Sequence, residues 1–202
     1  KLFGTGNQLG MRFKYTFQAK QKGIPDAINV ANKFIAKQPF VLALADNLFI
    51  GESFQKTLKQ VQSIKSGAAI LAVKTKYPSK SAVIHLGKKG KIKSIIEKPK
   101  KPKSNLTIPG LYFYDSESKT VVRKLKPSKR GELEIVDVHL DYLEKQQLKV
   151  FSLKKDIKWF DTGDAEEMLE ASNYVHRYQK NKKTPVGSIE LTALKNGWIS
   201  KK

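Results

Sequence analysis

An aspartate and an asparagine, Asp46 and Asn47, follow directly on the apolar run Phe40-Val-Leu-Ala-Leu-Ala45. A carboxylate and an amide emerging where a buried strand stops occupy the edge at which open α/β sheets collect ligands. A second carboxylate of the same kind stands far along the chain, in Trp159-Phe-Asp161-Thr-Gly163. Two such carboxylates could share one hard cation, because magnesium takes oxygen ligands and commonly uses one or two carboxylates together with substrate phosphates. The same two residues would serve equally as caps of turns or helices. Glu97 and Lys98 form another pair, beside Pro99, which stops a strand ladder. A lysine there can meet phosphate as a point charge and a glutamate can accept sugar hydroxyls; an exposed ion pair is the plainer reading. The stretch Gly4-Thr-Gly6-Asn-Gln-Leu-Gly10 lacks the preceding strand and the following Lys-Ser/Thr of a phosphate loop, so it reads as a turn. His85, His139 and His176 are too widely spaced for a local metal motif.

These residues need strands and helices in alternation to bring them together, and that alternation runs along the chain. Phe40–Ala45 reads as a strand buried on both faces, bounded by Pro39 and Asp46-Asn47. Pro25 opens a helical segment with Ile28, Ala31 and Ile35 on one face, and Phe54, Leu58, Val61 and Ile64 recur at helical spacing. Ala68–Val73 is the next buried strand, Ala82–Leu86 and Lys91–Ile96 flank Gly87-Lys-Lys-Gly90 as a hairpin, and Gly110–Tyr114 is a further strand. Val121, Val122 and Leu125 mark one later helix; Ile135, Val138 and Tyr142 mark another. Trp159-Phe160 closes a short strand, and Asp164 with Glu167 makes a capping-box-like start to a helix running toward Tyr178. Lys180-Asn-Lys-Lys183 reads as a linker, with Ser188 capping a last helix to Asn196.

Composition narrows the function classes. A chain of 202 residues with 40% hydrophobic and 28% charged residues is in the globular range. The lack of cysteine excludes disulfides, thiol catalysis, iron–sulfur clusters and Cys-based zinc sites. Apolar runs fall far short of the ~20 residues that span a bilayer, and nothing resembles a signal peptide, so a soluble, cytoplasmic protein with no membrane partner is expected. The net charge of +21 invites a nucleic-acid reading. Against it, only Arg12, Arg123, Arg130 and Arg177 are arginine, the residue suited to bidentate phosphate and base contacts, and the lysines are scattered from Lys1 to Lys202. A lysine-rich solvated surface, compatible with small anionic substrates, is the expectation.

An ordered set of short motifs then becomes recognisable: Gln18-Ala-Lys-Gln-Lys-Gly23, Ala45-Asp-Asn47, Glu97-Lys-Pro99, Lys103-Ser-Asn105, Gly110-Leu-Tyr-Phe-Tyr-Asp115, Arg130-Gly-Glu-Leu-Glu-Ile135, Asp161-Thr-Gly163 and Asn196-Gly-Trp-Ile199. In this order the chain resembles the sugar-nucleotide pyrophosphorylase family, in particular its glucose-1-phosphate thymidylyltransferases. The resemblance implies an α/β fold, a Rossmann-like nucleotide-diphospho-sugar transferase sheet flanked by helices and incomplete at the N-terminus. Residues 1–180 would be the nucleotidyltransferase core and 181–202 a linker and C-terminal helix. It further implies that the phosphate of glucose 1-phosphate attacks the α-phosphorus of dTTP, releasing pyrophosphate and giving dTDP-glucose for dTDP-rhamnose-type polysaccharide biosynthesis. By the same resemblance Asp46 and Asp161 hold Mg2+, and Gln18, Gly23 and Asp46 bind the nucleotide. Lys98 contacts the sugar phosphate, with Asn47, Ala82, Glu97 and Ile108 around the hexose; Lys98, Asp46 and Asp161 are the catalytic set. The family is often tetrameric, which implies a homo-oligomer.

Departures from the family pattern accompany these matches. The family opens with a strand and a glycine-rich loop carrying Arg and Lys, whereas Lys1 aligns several dozen residues further on; a fragment, or a remnant that binds sugar nucleotides without turnover, is the alternative expectation. Ala45 replaces a glycine, Ser81-Ala82 replaces Tyr-Gly so that a methyl would crowd the hexose, Gly23-Ile-Pro-Asp-Ala27 replaces Gly-Leu-Ala-Gln-Ala, and Val136 replaces a threonine.

Overall fold

The structure, a computed structural model, describes residues 2–200. Nine strands and seven α-helices alternate along it: β1 Phe40–Ala43, β2 Asn47–Ile50, β3 Ala68–Lys74, β4 Ala82–Leu86, β5 Ile92–Ile96, β6 Leu106–Ile108, β7 Leu111–Tyr114, β8 Leu148–Ser152 and β9 Lys158–Asp161, with α1 Ile24–Val30, α2 Asn32–Ile35, α3 Phe54–Gln62, α4 Ser118–Lys124, α5 Ile135–Glu144, α6 Ala165–Lys182 and α7 Ile189–Lys195. Strand β3 is the spine. Its Ala68, Ile70 and Ala72 face a cluster built with α1, α4 and α5, whereas Ala69 and Leu71 face Val61 of α3 and Phe113. Because both faces are covered, the strand reads as one continuous apolar run rather than as an alternation. This is the expected α/β sheet with helices on both sides.

Pairing is mostly antiparallel. β8 runs parallel to one edge of β3, while the other edge receives β7 along Ala68–Ile70 and β6 along Val73–Lys74. β6 and β7 are thus nearly one strand, interrupted at Pro109-Gly110, and beyond the interruption the sheet forks. β1 pairs with β7, whereas β4 and then β5 continue from β6. A two-stranded ribbon, β2 with β9, stands apart from this sheet. Proline removes a ladder donor, and the Gly110 carbonyl turns to accept from Leu44 N–H at 2.9 Å. The crevice between the branches is therefore where β1 delivers Leu44 through Asn47.

Three expectations need correction. The strand at Phe40–Ala45 is buried on one face only: Phe40 and Leu42 pack on the core, but Val41 is 47% exposed, because among the described residues β1 lies at the end of the pairing order, bonded to β7 alone. The helix opened by Pro25 breaks at Ala31, although Ile28 and Ile35 still reach the same cluster. The stretch Lys180–Lys183 is not a linker up to Lys182, since α6 runs through it. Lysines in a last turn suit the negative helix end, and the return is tied by Gln179 Oε1 accepting from Val186 N–H at 2.7 Å. β2, β6 and β8 lay outside the sequence reading: three to five residues with mixed patterning give little periodic signal.

His139 lies fully buried in α5, with Nε2 2.8 Å from the Tyr114 hydroxyl and Nδ1 without a partner among the described residues. Burial pushes its pKa from 6.5 down to about 3. The unfolded chain therefore binds this proton first as pH falls, so the contribution is present above about 6.5 and is lost progressively toward 3. We expect the parent to lose roughly 1 kcal/mol more stability per pH unit below 6.5 than His139→Gln does, as read from urea midpoints at pH 7 and pH 5; parallel losses would remove His139 as the cause.

Candidate functional site

The ribbon β2/β9 sets the two aspartates side by side. Asn47 is the register partner of Asp161, and Asp46 precedes it. Thr162 secures the junction from the other strand, its backbone N–H and its hydroxyl both donating to the Asp46 carbonyl at 2.8 Å. Gly163 shows how close the side chains come: a methyl built there would lie 3.2 Å from Asp161 Oδ1 and 3.2 Å from Asp46 Oδ2. The two carboxylate oxygens are thus at most twice that distance apart, and both lie tightly against the spot that a side chain at 163 would take.

Asn47 anchors this arrangement. Its Oδ1 accepts from the Gly110 N–H and from the Trp159 indole N–H, both at 2.7 Å, and its Nδ2 donates to Asp46 Oδ1 at 2.8 Å. Gly110 is needed at the fork because a methyl would come within 2.6 Å of Leu44 Cδ1 and 2.8 Å of Asn47 Nδ2. Asp161 is held from behind: its N–H donates to Glu167 Oε2 at 3.2 Å. Asp164 caps α6 as expected, accepting from Glu166 and Glu167 N–H, but Glu167 turns to Asp161 rather than closing a reciprocal box. The Asp161 pKa is raised above 3.8, chiefly by burial, with the Asp46 charge adding to it and the Gly163 N–H and Lys98 opposing.

On one side of the aspartates is a cavity of about 600 Å³ lined by Gln18, Gly23, Leu44, Ala45, Asp46 and Glu132, among others. Gln18 and Gly23, expected together, meet here: Gln18 Nε2 donates to the Gly23 carbonyl at 3.3 Å and to Asp26 Oδ2 at 2.8 Å. Gly23 has φ +94°, and a Cβ would fall 2.1 Å from the Leu133 carbonyl oxygen, so the loop carrying Arg130–Glu134 closes directly on it.

The other branch of the fork carries the remaining expected residues. Ala82 on β4 is the register partner of Ile108 on β6, and Val83 pairs with Ile96, which places Glu97 and Lys98 at the end of β5. Ala82 is only 7% exposed, so its methyl packs mainly into the core and leaves little surface for crowding a hexose. The Glu97 pKa is raised, first by burial and then by Glu134, with Lys98 and Arg130 opposing. Tyr112 on β7 feels Glu97, Asp161 and Asp46 together, and burial plus these charges push its pKa up. Both branches thus address one crevice.

Several contributors had no sequence signal. The Trp159 clasp on Asn47 joins positions remote in the chain, as does the ion pair of Lys80 Nζ with Asp164 Oδ2 at 2.7 Å, which ties the turn before Ala82 to the start of α6. Gly163 was visible as part of Asp-Thr-Gly, yet its steric role was not.

No described group of three or more His, Cys, Asp or Glu side chains could by itself hold a metal ion. The donor set at Asp46 and Asp161 fits a hard cation whose other ligands come from substrate phosphates and water, and the cradle that a Gly163 methyl would fill supports the same fit. A forked α/β sheet with a cavity on one branch, a polar strand end on the other and paired carboxylates between them has the ligand-collecting edge of an open α/β protein.

Sequence comparison specifies that class. The profile described as nucleotidyl transferase matches residues 1–177, and this chain belongs to that family; it is a nucleotidyltransferase. The glucose-1-phosphate thymidylyltransferase of Neisseria meningitidis is 37% identical over 200 residues, covering 99% of this chain and 69% of that protein. That of Mycobacterium tuberculosis is also 37% identical, covering 98% of this chain and 69% of its own length. Among solved structures, a candidate glucose-1-phosphate thymidylyltransferase from Bacillus anthracis in complex with a sucrose superposes with a TM-score of 0.76 at 32% identity, over 85% of this chain and 68% of that one. A UDP-glucose pyrophosphorylase complexed with UDP-glucose gives 0.72 at 27% identity, over 83% of this chain and 67% of that one.

Gly163→Ala places a methyl tightly against both carboxylates without requiring a positive φ. We expect titration calorimetry with Mg2+ or Mn2+ to show affinity reduced about tenfold or more, with an unchanged circular dichroism spectrum. Equal cation affinity in parent and variant would show that the space between Asp46 and Asp161 is not a cation cradle.

Proposed function

We infer that the chain transfers a thymidylyl group from dTTP to glucose 1-phosphate, giving dTDP-glucose and pyrophosphate. The observation that carries this reading is the convergence of Asp46 and Asp161 on one point, at the junction of the Gln18–Gly23 cavity and the Glu97–Lys98 strand end. The names of the similar proteins support the choice of substrates.

The nucleotide lies in the cavity. Gln18 is oriented by donation to Gly23 and Asp26, so its free Oε1 can accept the imide N–H of thymine, while backbone at Gly23 lines the same wall. The sugar phosphate lies along the other branch. Glu97 takes its hydroxyls, Lys98 takes its phosphate as a point charge, Ala82 and Ile108 form the floor, and Asn47 fixes the edge between the two sites. Lys98 has φ +39°, a left-handed geometry that turns the chain sharply at the strand end. Asp46 and Asp161 would hold Mg2+, which when bound offsets phosphate charge and draws the two polyanions together. Attack by the sugar phosphate oxygen on the α-phosphorus with departure of pyrophosphate needs no covalent protein intermediate. The residues therefore act by orientation and by charge placed in advance.

Nucleotide-sugar biosynthesis in the cytoplasm, in a homo-oligomer, is the setting that follows from this reading. No described helix is long and apolar enough to cross a membrane.

Pyrophosphate release by this chain joined to the family's glycine-rich opening segment should require dTTP, glucose 1-phosphate and Mg2+ together, and Asp161→Asn should lower it about a hundredfold. Undiminished turnover in Asp161→Asn would end the metal assignment. Calorimetric binding of dTDP-glucose with no pyrophosphate release would replace the enzyme by a sugar-nucleotide binding protein.

A further inference from the structure

The Gln18 amide is fixed by two acceptors. Its Nε2 donates to Asp26 Oδ2 at 2.8 Å and to the Gly23 carbonyl at 3.3 Å. A carbonyl and an ionised carboxylate only accept, so the way the amide points follows from its partners. Both N–H bonds are directed at them, and the reverse orientation would set Oε1 against two acceptors. What the amide retains for the cavity that it lines is Oε1, an acceptor.

Both partners are themselves held. The Lys22 carbonyl accepts from Leu133 N–H at 2.9 Å, next to Gly23 and its close approach to the Leu133 carbonyl. Asp26 lies in the first turn of α1, between Pro25, which is buried, and Ile28, which is 1% exposed. The apolar wall of the cavity, Ile24, Ala27, Leu42 and Leu44, offers faces for a flat ring beside the amide.

The residue type at 26 has a chemical consequence. Where the family pattern has Gly-Leu-Ala-Gln-Ala, this chain has Gly23-Ile-Pro-Asp-Ala27. A glutamine at 26 can donate or accept, which would let Gln18 turn either way; an aspartate admits one orientation. On the reading that this cavity holds the nucleotide base, we propose that Asp26 is a positioning residue that sets the polarity of base recognition. It keeps Gln18 as an acceptor toward the cavity, so the site takes pyrimidines whose N3 carries hydrogen, thymine and uracil, and turns away cytosine, whose N3 is itself an acceptor. A donor meeting Oε1 replaces a bond lost to water, whereas two acceptors face to face are both desolvated without partners. Thymine and uracil differ by a methyl, which this contact does not read.

The experiment is titration calorimetry of the full chain with dTDP, dUDP and dCDP, which carry the same sugar and diphosphate. The parent should bind dTDP and dUDP at least about tenfold more tightly than dCDP. Asp26→Asn keeps the shape and offers Gln18 an amide that accepts or donates; it should bring dUDP and dCDP within about threefold of each other, with an unchanged thermal midpoint. Gln18→Met should abolish the preference, and Asp26→Asn added to it should change nothing further, because Asp26 acts through Gln18. A purely structural part for Asp26 would weaken all three nucleotides together and leave their ratios as in the parent. The proposal is overturned if Asp26→Asn keeps the parent's ratio of dUDP to dCDP affinity, if it shifts that ratio further in the Gln18→Met background, or if the parent binds dUDP and dCDP alike. Failure of the underlying reading has a different signature: the parent then binds none of the three, which removes the base from the cavity and the role of Asp26 with it.

Discussion

Two like charges held near one another in a partly buried place are unfavourable, and the architecture around Asp46 and Asp161 exists to impose that arrangement. Burial raises the Asp161 pKa and the neighbouring Asp46 raises it further. Left to itself a chain would turn one of them away. The β2/β9 ribbon prevents this by register, Thr162 by two hydrogen bonds to the Asp46 carbonyl, and Asn47 by binding the Asp46 carboxylate while its own oxygen is held twice. Repulsion between carboxylates is what a divalent ion relieves, so the proposed Mg2+ would draw its stabilisation from the same strain that the fold imposes.

The fork in the sheet gives that pair its surroundings. An uninterrupted strand from Leu106 to Tyr114 would carry β1 and β4 as competing neighbours along one edge. The break at Pro109-Gly110 lets each take its own half and opens a crevice between them. Close backbone approach follows, which explains glycine at positions 110 and 23: each would place a Cβ within 2.6 Å and 2.1 Å, respectively, of its neighbour. The two branches then offer different chemistry, a roomy cavity by Gln18 and a charged strand end at Glu97-Lys98, on either side of the same carboxylates.

Much of this was legible beforehand. Buried strands such as Ala68–Lys74, the helices of α4 and α5, the hairpin of β4 with β5 and the Asp164 cap all announce themselves through period, turn residues or capping chemistry. What stayed hidden is what depends on partners. Val41 looks as apolar as its neighbours, yet it is exposed because β1 has a partner on one side only among the described residues. The Lys180–Lys182 stretch looks like a charged linker, yet it is helical because α6 continues and its return is tied down by Gln179. His139 carries no sequence mark of its burial against Tyr114.

Residue order alone determined the kind of elements, the absence of cysteine chemistry and the identity of the candidate acids, because these depend on side-chain type and on spacing within a few residues. Tertiary structure alone decided that Asp46 and Asp161 both approach Gly163, where a side chain would press on them, and that Asn47 is gripped by Trp159 and Gly110. Those facts arise from strand register and from backbone approach between segments more than a hundred residues apart, and no local pattern encodes a distance of that kind.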